Sequence, residues 1–199
     1  MIGKVIRANV RSFVLGAKLP EAGVPHFGAL VKTVGQSERP TLYGLIYDIA
    51  VNAGDDGMIR MVSVADEARD EDIQWHRSRV VPLEVSVLCV GYQEPGGAIR
   101  HSLPPQPPVT LVVIEECGPG DILAFTERHG YLRLILDARD APSDELLAVC
   151  LHNAAQARDT EAARRRYLIS CGRELAHMLA KDSQRLEQVL RRVQSFERM

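Results

Sequence analysis

The chain has 199 residues, 46% of them hydrophobic and 25% charged, a balance that supports one ordinary folded domain or a compact domain with an appendage. A formal charge of −2 excludes an overall electrostatic attraction to nucleic acid or anionic membrane and leaves room only for a local basic patch. No apolar run approaches the ~20 residues of a membrane helix, and the start Met1-Ile2-Gly3-Lys4 lacks the apolar stretch of a signal peptide, so a soluble cytoplasmic protein is expected.

Up to about residue 140 the chain reads as short β-rich runs separated by turn chemistry. The predicted strands are Ile2 to Val10, Phe13 to Leu19, Gly28 to Val34, Leu42 to Val51, Met58 to Val64, Val80 to Tyr92 and Val109 to Ile114. Pro20-Glu21-Ala22-Gly23, Gly35-Gln36-Ser37, Gly54-Asp55-Asp56-Gly57 and Pro95-Gly96-Gly97 supply the reversals between them. Val85, Val87 and Cys89 alternate with Glu84, Ser86, Leu88 and Val90, so that strand begins half exposed and becomes buried on both faces, as a strand entering a closed barrel does. The charged segment 66–79, with the single tryptophan Trp75, is expected as an inserted loop or short helix. Trp75 is then either an interface anchor or a lid over one end of the core. The four prolines of the 101–108 segment cannot donate ladder hydrogen bonds, which predicts an extended connector or docking strip there.

From 143 to 199 the periodicity becomes helical. Ser143 is expected as an N-cap ahead of Asp144 and Glu145, for a helix running to about Ala157. Asp159 or Thr160 then caps a second stretch whose Leu168, Leu175, Leu179, Leu186, Val189, Val193 and Phe196 fall at three- and four-residue steps. Asp182 interrupts this apolar seam, so a break or polar register point belongs there. The seam is covered either by the chain's own core or by another subunit, and Leu175, Leu179, Leu186 and Val193 are the candidate contacts together with Trp75. From Arg158 onward ten basic residues stand against six acidic ones, a net +4, with Arg164-Arg165-Arg166 at its centre.

Recognisable catalytic apparatus is missing. No phosphate-cradling Gly-rich loop ends in Gly-Lys-Ser/Thr, and the glycines near Gly91 and Gly96 open no helix, so nucleotide fingerprints fail. The histidines at 26, 76, 101, 129, 152 and 177 share no helical turn, and Cys89, Cys117, Cys150 and Cys171 form no Cys-x-x-Cys pair. The cysteines read as small buried hydrophobes in a reducing compartment. The adjacent carboxylates Glu115 and Glu116 point to opposite faces of a strand end and make no acid–base pair. No catalytic, cofactor-binding or metal residue is assigned.

Ile2-Gly3-Lys4-Val5-Ile6, the apolar strand from Ser12 to Leu15 and Gly28-Ala29-Leu30-Val31 together resemble the small N-terminal barrel of HerA-type DNA-translocating ATPases. That module is similar to the N-terminal barrel of rotary ATP synthase catalytic subunits, and the shared domain is called the HAS-barrel. Tyr43-Gly44-Leu45-Ile46-Tyr47-Asp48-Ile49 and Val81-Pro82-Leu83-Glu84-Val85 fit its later strands, so the resemblance spans roughly residues 1 to 116. In those families the barrel helps assemble the ring and contacts accessory subunits. The resemblance therefore implies a free-standing assembly or docking module and carries over no catalytic residue.

The expected architecture is a small closed β-barrel of about six to seven strands over residues 1–140, followed by a C-terminal helical hairpin or long helix over 143–199. The expected function is a non-catalytic, homo-oligomeric adaptor that docks onto a larger machine, a HerA-type DNA-processing ATPase being the one the resemblance implies. Two alternatives stand beside it. One is a nucleic-acid-binding protein using the barrel groove with Arg164, Arg165 and Arg166. The other is an enzyme with a site at a barrel mouth near Asp48, His101 or Glu115.

Overall fold

A computed structural model describes residues 1–18, 25–36, 40–51 and 82–197. The strand expected at Met58 to Val64, the charged segment with Trp75, and the turns at 20–23 and 54–57 lie outside the described residues. In chain order the strands are β1 (Gly3–Ala8), β2 (Ser12–Lys18), β3 (Leu30–Val34), β4 (Thr41–Val51), β5 (Pro82–Gln93), β6 (Ile99–Arg100) and β7 (Val113–Glu116). The helices are α1 (Pro119–Phe125), α2 (Tyr131–Leu136), α3 (Ser143–Gln156), α4 (Glu161–Met178) and α5 (Ser183–Glu197).

Six strands close into an antiparallel barrel. Hydrogen bonding runs β2–β1–β7–β3–β4–β5 and returns through the β2–β5 pairing, while β6 lies outside the ring against β5. Alternation puts Val5, Phe13, Leu15, Val31, Ile46, Leu83, Val85, Val87 and Ile114 inside, and these side chains fill the interior as in other small barrels. The expected closed barrel is what forms. The Pro95-Gly96-Gly97 reversal also forms, Gly97 N donating to Glu94 O at 2.8 Å between β5 and β6.

β4 and β5 bend around the ring by register shifts at Tyr43/Gly44 and Ile46/Asp48. At the first of these the barrel needs a residue without a side chain. A Cβ on Gly44 would stand 2.4 Å from Val87 Cγ1, 3.0 Å from Leu88 O and 3.1 Å from the Phe13 ring. Gly44→Ala is therefore expected to cost about 1–3 kcal/mol by overpacking, read as a lowered denaturation midpoint at unchanged m-value.

One side of the outer wall carries a second core. Leu30, Tyr43, Leu45 and Val90 point outward and are covered by Phe125 of α1, by Tyr131, Leu132 and Ile135 of α2, and then by α3, α4 and α5. This accounts for the burial of both faces of β5 from Cys89 to Gly91: one face looks into the barrel region and the other meets the helical layer. Lys32 Nζ on β3 donates to Asp121 Oδ2 at 2.7 Å, fastening α1 to the wall, and this hydrogen bond raises the Lys32 pKa.

Several boundaries differ from the sequence reading. The helical part begins at Pro119, within the stretch assigned to the barrel, because the two short helices α1 and α2 form there. The last barrel strand falls at Val113–Glu116, later than Val109 to Ile114. Ser143 is the first helical residue of α3 and Pro142 occupies the cap position, since the Ser143 hydroxyl is engaged by Arg185 instead. Thr160 does cap α4, its Oγ1 accepting from Ala163 N at 3.2 Å. The chain breaks between α4 and α5, where Asp182 Oδ1 accepts from Arg185 N at 3.0 Å in the manner of an N-cap. Among the described residues no helix is long and apolar enough to cross a membrane.

Candidate functional site

The helical seam is covered within the chain. Leu175, Leu179, Val189 and Val193 are buried, and Leu186 packs partly buried against the same core, so their partner in this fold is the chain itself. Trp75 lies outside the described residues. Of the arginine run, Arg164 is half-buried and its Nε donates to Arg158 O at 3.0 Å, whereas Arg165 and Arg166 are exposed on α4.

The barrel-mouth residues separate. Asp48 is exposed on β4 across from Ser86, and Glu115 is exposed on β7 across from Lys32. His101 packs instead against the helical layer: its Nε2–H donates to Phe125 O at 2.9 Å, and its ring meets Phe125 at 4.8 Å and Tyr131 at 5.4 Å. Among the described residues no group of three His, Cys, Asp or Glu side chains is placed to hold a metal.

A polar chain runs through the helical layer. His129 Nε2 and Ser170 Oγ share a hydrogen bond of 2.7 Å, His129 Nδ1 faces Cys171 Sγ at 3.8 Å, and the Tyr131 and Tyr167 hydroxyls meet at 2.6 Å. Arg158 lies over the Tyr167 ring at 3.5 Å and its NH2 group donates to Thr126 Oγ1. Ser170 sits inside α4, where the backbone N–H groups around it are consumed by the helix. Burial pushes Cys171 to about 12, which keeps a thiol rather than a thiolate beside His129. Cys117 and Cys150 are likewise pushed up to about 12 by burial. Both line a cavity of about 290 Å³ between the barrel wall and helices α1 and α3, with His26, Glu116, Thr126 and Asn153 at its polar positions.

Burial also lowers the pKa of His101 and of His129 below the ordinary 6.5. For His101 the hydrogen bond to Phe125 opposes that shift, while Arg128 and His129 reinforce it. A histidine whose folded pKa is lowered takes up its proton in the unfolded chain first, so stability is present above pH 6.5 and declines as pH falls from 6.5 toward the lowered folded values. Tm is expected to decline over that interval, and His101→Gln is expected to flatten the decline measured by thermal scans.

Exposed apolar side chains collect on the barrel wall. Ile6 of β1, Val34 of β3, Val113 of β7 and Leu111 just before β7 are exposed on three neighbouring strands. Val113 pairs with Lys4, and Leu111 N donates to Val5 O at 2.7 Å, which places Leu111 beside Ile6 along the β1 edge of the strip. Leu111 is 70% exposed and held at φ +66°, a left-handed conformation that is strained for a leucine. Sequence reasoning missed this strip because Val109-Thr110-Leu111-Val112-Val113 reads as one continuous apolar strand, with no alternation to mark the residues that point outward. Ile169 on α4, 47% exposed, was missed as well. Its only sequence signal is a position next to Leu168 but off the seam.

No model of a known protein family matches the chain, and no curated protein does.

Proposed function

We propose that the protein is a non-catalytic assembly module, a HAS-barrel-like barrel that docks onto a larger protein assembly. The observation that carries this reading is the exposed strip of Ile6, Val34, Leu111 and Val113, because apolar side chains gathered on one face and including a strained leucine mark a surface that gains by being covered. The seam of the helical tail is already covered by the chain's own core, whereas the strip on the barrel wall is exposed. The partner class that the barrel's resemblance implies is a HerA-type translocating ATPase, and self-association through the same strip is the homo-oligomeric form of the reading.

Affinity purification from the source cell with mass spectrometry, set beside light scattering of the purified chain, tests this. Leu111→Asp and Val113→Asp lie on exposed positions and are expected to leave the fold intact. Retention of a translocating ATPase, or a multimeric mass, that both substitutions abolish supports the reading. A chain recovered alone at monomer mass, or an association that neither substitution alters, rejects it.

A further inference from the structure

The outward face of α4 carries a second concentration of unsatisfied surface, different in chemistry from the barrel strip. Ala162, Arg165, Arg166, Ile169, Arg173 and Ala176 fall at helical steps opposite the buried Tyr167, Cys171 and Leu175. Arg7, Arg100, Arg185, Arg191 and Arg192 each hold a carboxylate, and Arg164 is bonded to a backbone carbonyl. Among the described residues the side chains of Arg165, Arg166 and Arg173 have neither a hydrogen bond nor an ion pair.

Two concavities meet on this face. A shallow depression of about 540 Å³ is lined by Glu161, Ala162, Arg165, Arg166 and Ile169, so an apolar floor is bordered by two guanidinium groups and their aliphatic stems. A groove of about 410 Å³ between α3, α4 and α5 shares Glu161 and Arg165 with it and adds Leu168 and Val193 beside the polar His152, Gln156 and Arg164. An occupant spanning both needs apolar side chains at helical spacing with carboxylates along their flank.

We infer that the α4 face formed by Arg165, Arg166, Ile169 and Arg173 docks an acidic amphipathic helix of a protein partner. The inference rests on the assembly-module reading and names a docking face and partner chemistry for it. Charge complementarity selects the acidic flank, and the Ile169 depression selects an apolar anchor, which together give the helix-in-groove mode. A phosphate backbone fits less well. Ile169 offers it nothing, and Tyr167, the one Phe, Tyr or Trp of α4, is buried and closed to base stacking.

The test uses the full chain and three fluorescent probes: a helical peptide with Leu at three- and four-residue steps flanked by Glu, the same peptide with Lys for Glu, and a DNA duplex. Anisotropy is read at low and high salt for the wild type, for Arg165→Glu with Arg166→Glu, and for Ile169→Gln, with circular dichroism confirming each fold. The expected result is binding of the Glu peptide alone, weakened about tenfold or more by either the charge reversal or Ile169→Gln. Absence of Glu-peptide binding overturns the inference, as does binding that Ile169→Gln leaves unchanged. DNA binding that is lost on charge reversal and indifferent to Ile169→Gln overturns it in favour of nucleic acid. The barrel strip is untouched by these substitutions, so this face can fail while the co-purification test succeeds, and the reverse.

Discussion

Replacing Phe125 by alanine is expected to cost about 3–5 kcal/mol of stability. Each kcal/mol moves Tm by about 2–4 °C in a chain of this size, so the midpoint is expected to fall on the order of 10 °C in a calorimetric or circular-dichroism scan. The ring is 1% exposed and stands in the core between the barrel wall and the helical layer. It touches Tyr43 of the barrel wall with centroids 4.8 Å apart, His101 of the connecting segment at 4.8 Å and Tyr131 of α2 at 5.4 Å. It also walls the cavity of about 290 Å³, so truncation enlarges a space that the surrounding elements already leave unfilled, and collapse onto it is difficult. Phe125→Leu keeps most of the volume and is expected to lose a smaller part of the stability. A loss below about 1 kcal/mol for the alanine variant would mean that the helical layer is not packed cooperatively on the barrel.

That junction was the least legible part of the sequence. The barrel strands could be read because Val, Ile and Leu alternate between turn residues; closure was expected from the burial of both faces of the segment ending at Val90 and Gly91, although in the fold the helical layer covers the outer of those faces. Thr160 as a cap and Asp182 as a break were also readable, each being a short polar side chain at the edge of a helical period. The helices α1 and α2 were not. Seven and six residues are too few to display a helical period, and Tyr131-Leu132-Arg133-Leu134-Ile135-Leu136 reads as well in a strand. They form because Phe125, Tyr131, Leu132 and Ile135 are buried against Tyr43, Leu45 and Val90, residues far away in the sequence. The exposed strip at Leu111 and the depression at Ile169 were hidden for a related reason: an apolar residue declares its type in sequence but not which of two faces it takes. The engagement of Arg164, in contrast with its free neighbours Arg165 and Arg166, depends on one carbonyl, that of Arg158, and composition carries no trace of it.

Arg185→Leu is expected to cost about 2 kcal/mol, because charge-assisted hydrogen bonds contribute about 1.5–3 kcal/mol and this side chain makes several. Its Nε donates to Asp144 Oδ1 at 2.8 Å, and NH2 donates to Ser143 Oγ at 2.9 Å and to Leu136 O at 3.2 Å. One guanidinium thus joins the start of α5 to the first turn of α3 and to an end carbonyl of α2. Both charges are about one-third exposed or less, at 31% and 25%, so solvent screens part of the attraction and the upper end of that range is not reached. Asp144 loses its partner but remains in the first turn of α3, where the helix dipole favours a carboxylate, which offsets some of the loss. Arg185→Lys keeps the charge without the planar fork and is expected to recover less than half of the stability. The effect should be local as well as global, with faster amide exchange in α5 than in the barrel. Freeing α5 also uncovers Val189, Val193 and the Leu175 side of the seam, so the variant is expected to self-associate at concentrations where the wild type does not. Such association would survive Leu111→Asp, whereas association through the barrel strip would not. The double variant Arg185→Leu with Leu111→Asp therefore separates exposure of a seam that the fold covers from docking through the wall that it leaves open.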